Sequence, residues 1–152
     1  MKALLIALFT TLLSVFSVSA QNQLNNKADN IVGDYYAQQN NDNFKVRFSK
    51  MSDGTYTAQI YWVENDKDEN GNKALDVKNP DKALRKVPCD RIVLIKGLKY
   101  NPEKKQWDGT KIYDPQRGIK ANVVCKFRKD GVLWVRGTVL GIGEDAFWKK
   151  IK

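Results

Sequence analysis

The stretch Trp107 to Phe127, WDGTKIYDPQRGIKANVVCKF, gathers Trp107, Asp108, Tyr113, Asp114, Arg117 and Cys125 into what reads as one hairpin. The chemistry open to it is narrow, because the chain contains no histidine. Ser-His-Asp and Cys-His mechanisms therefore lose their base, and only carboxylates, tyrosine or lysine are left to move protons. A carboxylate pair of the glycosidase kind would draw on Asp108, Asp114, Glu144 and Asp145. Each of these sits beside a turn or a glycine, where Asp and Glu are ordinary solvated residues, so a carboxylate-dependent hydrolase ranks last among the readings and no catalytic residue is assigned.

Metal chemistry is equally poorly supplied. The segment DKDENGNKALDV sets Asp66, Asp68 and Asn70 at alternate positions before Gly71, as an EF-hand loop opens, but the twelfth position is Val77 rather than Glu and the eighth is Lys73. A polar turn is expected there. Zinc sites want about four Cys or His ligands, and two cysteines with no histidine cannot provide them. No cofactor and no metal are expected.

The elements that must position these residues follow from the apolar pattern. Lys2 precedes the apolar run ALLIALFTTLLSVF and then SVSA, with small or β-branched Val18 and Ala20 at a cut site, which reads as a secretory signal peptide over 1-20. The chain is thus expected to be exported, to the periplasm or beyond. Residues 21-30, QNQLNNKADN, are polar without periodicity and read as a flexible leader. Residues 31-152 are one domain. There the period is two: Phe44, Val46 and Phe48 alternate with Lys45 and Arg47, and Tyr56, Ala58, Ile60 and Trp62 with Thr57, Gln59 and Tyr61. About eight such runs, joined by turn signals such as Asp130-Gly131, predict an all-β fold, a single small antiparallel barrel closed on itself. The charged segment 65-89 exceeds an ordinary loop, and Asn79-Pro80 before DKALRK predicts one short helix at about 80-86.

Export and an even cysteine count predict a disulfide between Cys89 and Cys125. Against it, Cys125 alternates with Ala121, Val123 and Phe127, which suits a small buried hydrophobe. The net charge is +9, and without Lys2 the remaining 25 basic residues against 17 acidic ones leave +8. The lysines are spread over every strand, so no nucleic acid partner is expected. A solvated basic surface is the default, with peripheral contact to anionic envelope components as the further possibility, and a monomer is expected.

The order NPDKALRKVPC, an apolar strand with KGL, WDGTKIYDPQRG, LWVRGTV and the terminal Trp148-Lys149 pair resembles the bacterial family known as domain of unknown function 2147. The resemblance implies an exported, lipocalin-like barrel without an established role. Many relatives open with Gly-x-Trp where this chain has Gly33-Asp34-Tyr35, so Tyr35 is expected to fill the barrel floor. Relatives often carry a tyrosine after the YDP turn, where Lys120-Ala121 stand here.

Strict alternation would turn Tyr35, Tyr56, Trp62, Trp107 and Tyr113 into the barrel, with Arg117 at its mouth and Arg136 near the opening. That arrangement predicts a non-enzymatic binder of a small apolar or anionic amphiphile. The alternative is a barrel filled by these same aromatics and acting as an envelope interaction module.

Overall fold

The computed structural model describes residues 23–151. The expected signal peptide lies outside the described residues. Eight strands run in order: β1 (Gly33–Gln39), β2 (Asp42–Lys50), β3 (Tyr56–Val63), β4 (Val93–Asn101), β5 (Gln106–Asp114), β6 (Ile119–Phe127), β7 (Leu133–Val139) and β8 (Ile142–Lys150). Each pairs antiparallel with the next, and β8 returns to β1 to close the barrel, as the alternating pattern predicts. Closure joins the first and last strands, over the two pairs Tyr35–Lys150 and Tyr36–Lys149.

The inward rows form the core. Phe48, Val46, Ala58, Leu98, Trp107, Cys125, Phe127, Leu133 and Val135 are all buried, with Trp148 closing the row from β8. Ring contacts reinforce neighbouring strands, with Tyr35 of β1 edge-on to Phe48 of β2 at 5.4 Å and Trp107 of β5 edge-on to Phe127 of β6 at 5.7 Å. Edge-to-face pairs of this kind add about 0.5–1.5 kcal/mol each beyond their burial.

Two elements depart from expectation. The helix predicted over about 80-86 is a single 3-10 turn, Lys82–Leu84, capped by Asp81, whose carboxylate accepts from the Ala83 amide at 2.9 Å. The chain has no room for more. The Asp76 amide donates to the Val87 carbonyl and the Cys89 amide to the Ala74 carbonyl, both at 2.9 Å, so a short antiparallel bridge claims the backbone on either side. Pro88 then forbids continuation.

The leader, expected to be flexible through residue 30, is ordered from Gln23 onward. It forms two 3-10 turns, Gln23–Asn25 and Ala28–Ile31, lying across one end of the barrel. Asn25 is the anchor: its side-chain amide donates to the Phe127 carbonyl and its carbonyl oxygen accepts the Phe127 amide, both at 2.8 Å. One polar side chain thus completes the last backbone pair of β6. Its reach has no signature in composition.

Candidate functional site

Two ends of the barrel and its interior are the places where the predicted site residues must be found. At the plugged end, aromatic polar groups grip the leader. Tyr35 donates to the Ile31 carbonyl at 2.8 Å, Trp107 Nε1 to the Ala28 carbonyl at 2.9 Å, and Tyr100 to the Asn25 carbonyl at 2.6 Å. Tyr56 donates to Asp29. Burial pushes the Tyr35 phenol well above its ordinary range, and burial followed by the Asp29 contact does the same for Tyr56. These hydroxyls are held as neutral donors. Tyr35, Tyr56 and Trp107 are where alternation puts them, but their polar handles hold the plug.

Trp62 and Tyr113 are not inside. In β3 the register slips, with Lys45 opposite Trp62 but Val46 opposite Ile60, so Tyr61 is an extra residue. That bulge reverses the phase: Val63 turns to the core beside Phe44, while Trp62 stands on the outer face, 37% exposed, beneath the Lys45 ammonium at 4.9 Å. In β5 the slip lies between Trp107 and Thr110 and is centred on Gly109, whose φ of +83° suits a bulge. Past it Ile112 faces inward, and Tyr113 faces out beneath the long loop. There its hydroxyl donates to the buried Asp76 at 2.6 Å, and Asn79 donates to the other Asp76 oxygen at 2.7 Å. Trp107 and Tyr113 therefore stand on opposite faces of one strand.

The mouth is the other end. The DPQRG corner does form the β5–β6 turn, with the Gly118 amide donating to the Asp114 carbonyl at 2.7 Å. Arg117 bends across it: Nε donates to Asp114 at 2.6 Å, and the two terminal nitrogens take both Glu144 oxygens at 2.9 and 2.6 Å. Gln39 donates to Asp114 at 3.2 Å, and Gln116 donates to Asp42 at 3.1 Å. The corner is thus tied to β1, β2 and β8. Arg117 stands at the mouth as expected, but two carboxylates hold its charge, and it holds Glu144 below the ordinary carboxylate value. Arg136 is displaced from the opening. It lies along the outer wall over Gly143, where a side chain would collide with it, and donates to Asp145 at 2.7 Å.

The carboxylates weighed for acid–base work are spoken for: Asp108 accepts from Gln106 at 2.7 Å, Asp114 and Glu144 from Arg117, and Asp145 from Arg136. A general acid needs its proton near neutral pH, and the Glu144 environment works against that. In the EF-hand-like turn, Asp68 accepts the Asn70 and Asn72 amides, both at 2.9 Å, and the Lys73 ammonium sits between Asp66 and Asp90. A lysine provides the cation there.

The disulfide expectation is overturned. Cys125 is a free thiol in the core, in register with Trp107 and Val135, whereas Cys89 lies outside the barrel in the 3-10 turn Cys89–Arg91. The barrel wall separates them. Burial raises the pKa of both, and the neighbouring Asp90 raises that of Cys89 further.

A Cβ on Gly137 would lie 3.2 Å from Ala121 and 3.5 Å from Ile112, so three strands meet closely where a ligand would enter. Two hollows, of about 380 Å3 beside Arg128, Lys129 and Asp130 and of about 450 Å3 across β4, β5 and β6, open on the outer surface. Asn25, Asp76 and Gln39, which organise both ends, carry no sequence motif. The isolated glycine of WDGTKIY does signal the β5 bulge.

A closed eight-stranded antiparallel meander with one end covered by the leader is a lipocalin-like barrel. The chain belongs to the family described as an uncharacterized protein conserved in bacteria (DUF2147), which matches residues 33–150. The solved structure of protein HP1028 from Helicobacter pylori, described as belonging to the lipocalin family, is similar over 80% of this chain and 83% of that one, with 24% identity and a TM-score of 0.63. At that identity the likeness shows the fold. No curated protein matches the chain.

Proposed function

We propose that this protein is an exported, non-catalytic barrel that acts as an envelope interaction module, its interior serving as core rather than as a ligand site. One observation carries the reading: Tyr35, Tyr56, Tyr100 and Trp107 all spend their polar groups on residues 23–31. A ligand that displaced them would unmake the plug. The engaged carboxylates support the absence of catalysis, and the +8 charge of the chain without Lys2 supports contact with acidic envelope material.

The test follows the interior directly. Fatty acids, bile-acid-like amphiphiles and neutral analogues are titrated while the methyl resonances of Val123, Val135 and Leu133 are recorded. Those core signals should not move, and Tm should stay where it was. Saturable movement of the core methyls would replace this reading with that of an internal carrier. Export itself is checked by the intact mass of the secreted form, which should begin at Gln21.

A further inference from the structure

On the outside of the barrel a hollow of about 450 Å3 crosses β4, β5 and β6, with Lys96, Lys111 and Lys120 contributed one from each strand. Val93, Leu94 and Tyr113 supply its apolar floor and side. Every charged residue lining it is positive. Among the described residues none of the three ammonium groups has a hydrogen-bond or ion-pair partner, although Arg47, Lys50, Lys73, Arg117, Arg128 and Arg136 all do.

That pattern works against the fold. The pairing of Ile95 with Ile112 brings Lys96 beside Lys111, and Lys120 stands directly opposite Tyr113, so the like charges lie on neighbouring strands of one face. Like charges placed across strands destabilise a sheet. The comparison is the other hollow, of about 380 Å3, lined by Arg128, Lys129 and Asp130, where at least one cation, Arg128, has a carboxylate of its own at 3.7 Å. In the larger hollow the acid is missing from the protein. The site is also rigidly built: Tyr113 is fixed by Asp76, and Thr110 Oγ1 donates to the Lys96 carbonyl at 2.8 Å, which locks β4 to β5 beneath the lysines.

We infer that this groove binds a phosphate group, with the three lysines as its donors and the Val93, Leu94 and Tyr113 surface against the ester it carries. Lysine ammonium groups act on phosphate as point charges that need no fixed fork, so three of them from separate strands suit a tetrahedral anion. The exposed Leu75 and Val77, on either side of the Asp76 that holds Tyr113, add apolar surface beside the anchor point. The inference rests on the reading of the barrel as a filled module that recognises its partner from outside.

The experiment uses the mature chain in two arms: glycerol 3-phosphate followed by backbone amide NMR, and cosedimentation with phosphatidylcholine vesicles containing phosphatidylglycerol. Both are repeated with Lys96→Gln/Lys111→Gln/Lys120→Gln. A charge-matched control, Lys104→Gln/Lys105→Gln/Lys129→Gln, alters turns elsewhere on the barrel. Saturable shifts confined to residues 93–96, 110–113 and 120, weakened at least about tenfold in the groove variant and less than about twofold in the control, are expected. If only the vesicle arm shows this loss, the phosphate is a lipid headgroup; if the soluble ester shows it too, the site takes free phosphate esters. Equal loss in both variants, or no saturable binding in either arm, would overturn the groove. The thermal midpoint of the groove variant guards against a folding artefact: it should be unchanged or higher, because removing like charges relieves repulsion, and a fall would mark the lysines as structural instead. Movement of core methyls rather than groove amides would instead defeat the filled-module reading on which the groove depends.

Discussion

At the scale of single residues, the positions singled out for ligand contact are engaged by other parts of the same chain. Arg117 shows this most plainly, since both of its partners are carboxylates of the barrel rather than of a ligand. Its pairing makes a pH prediction. Glu144 has a folded pKa held below its unfolded value of about 4.3, so its contribution is fully present above that value and disappears as pH falls through the lower folded one. Arg117→Gln should therefore lower Tm slightly at pH 7, and the gap to the parent should close as pH drops below about 4. A gap that stayed constant down to pH 2 in thermal scans would assign the effect to packing of the arginine stem. The residue types at the mouth were legible in YDPQRG, including the turn made by Asp114-Pro115. Their partners Gln39, Asp42 and Glu144 were not, because they arrive from strands distant in sequence, and no local spacing encodes that meeting.

At the scale of elements, alternation predicted which runs are strands and failed wherever a strand contains an extra residue. A single bulge in β3 sent Trp62 outward, and one in β5 sent Tyr113 outward. Gly109 offered a warning in the sequence; QIYWV offered none. The leader is the larger omission, since polar composition reads as disorder unless its specific bonds are known. It yields a sharp prediction. Asn25→Ala removes two buried hydrogen bonds to the Phe127 backbone, a loss of about 2–4 kcal/mol. Tm should fall by about 8–15 °C, while the exposed neighbour Asn26→Ala should leave it unchanged. A fall of less than a few degrees for Asn25→Ala would show the leader to be a passive cover. The Lys78 carbonyl lies so close to Gly118, where a Cβ would sit 2.4 Å away, that the long loop and the β5–β6 corner must likewise be considered one packed unit.

At the scale of the whole molecule, the barrel was legible because a half-buried antiparallel sheet writes its inside and outside into every second residue. What it encloses was not legible, because aromatics of this size can either line a cavity or fill it. The closure is uneven. β1 and β2 are in register over seven residue pairs, Gly33 through Gln39, whereas β1 and β8 share two, Tyr35 with Lys150 and Tyr36 with Lys149. The Ile151 amide adds one further bond, to the Asp34 carbonyl at 2.8 Å. Local opening follows the weakest backbone pairing, so hydrogen exchange should be fastest along this seam and slowest in the β5–β6 and β6–β7 pairs. Seam amides among the slowest to exchange would mean that the plug and Trp148, not the ladder, set its stability.

The plug has a consequence for the order in which the chain takes shape. Asn25 finds Phe127 102 residues later, and the Asn30 carbonyl waits for the Lys150 ammonium 120 residues on. Tyr35 and Tyr56 can engage Ile31 and Asp29 early, but the bonds of Asn25 and Asn30 to the far end of the chain cannot form until almost all of it has been made. The plug is thus among the last parts of the fold to close, whatever the order in which the strands pair.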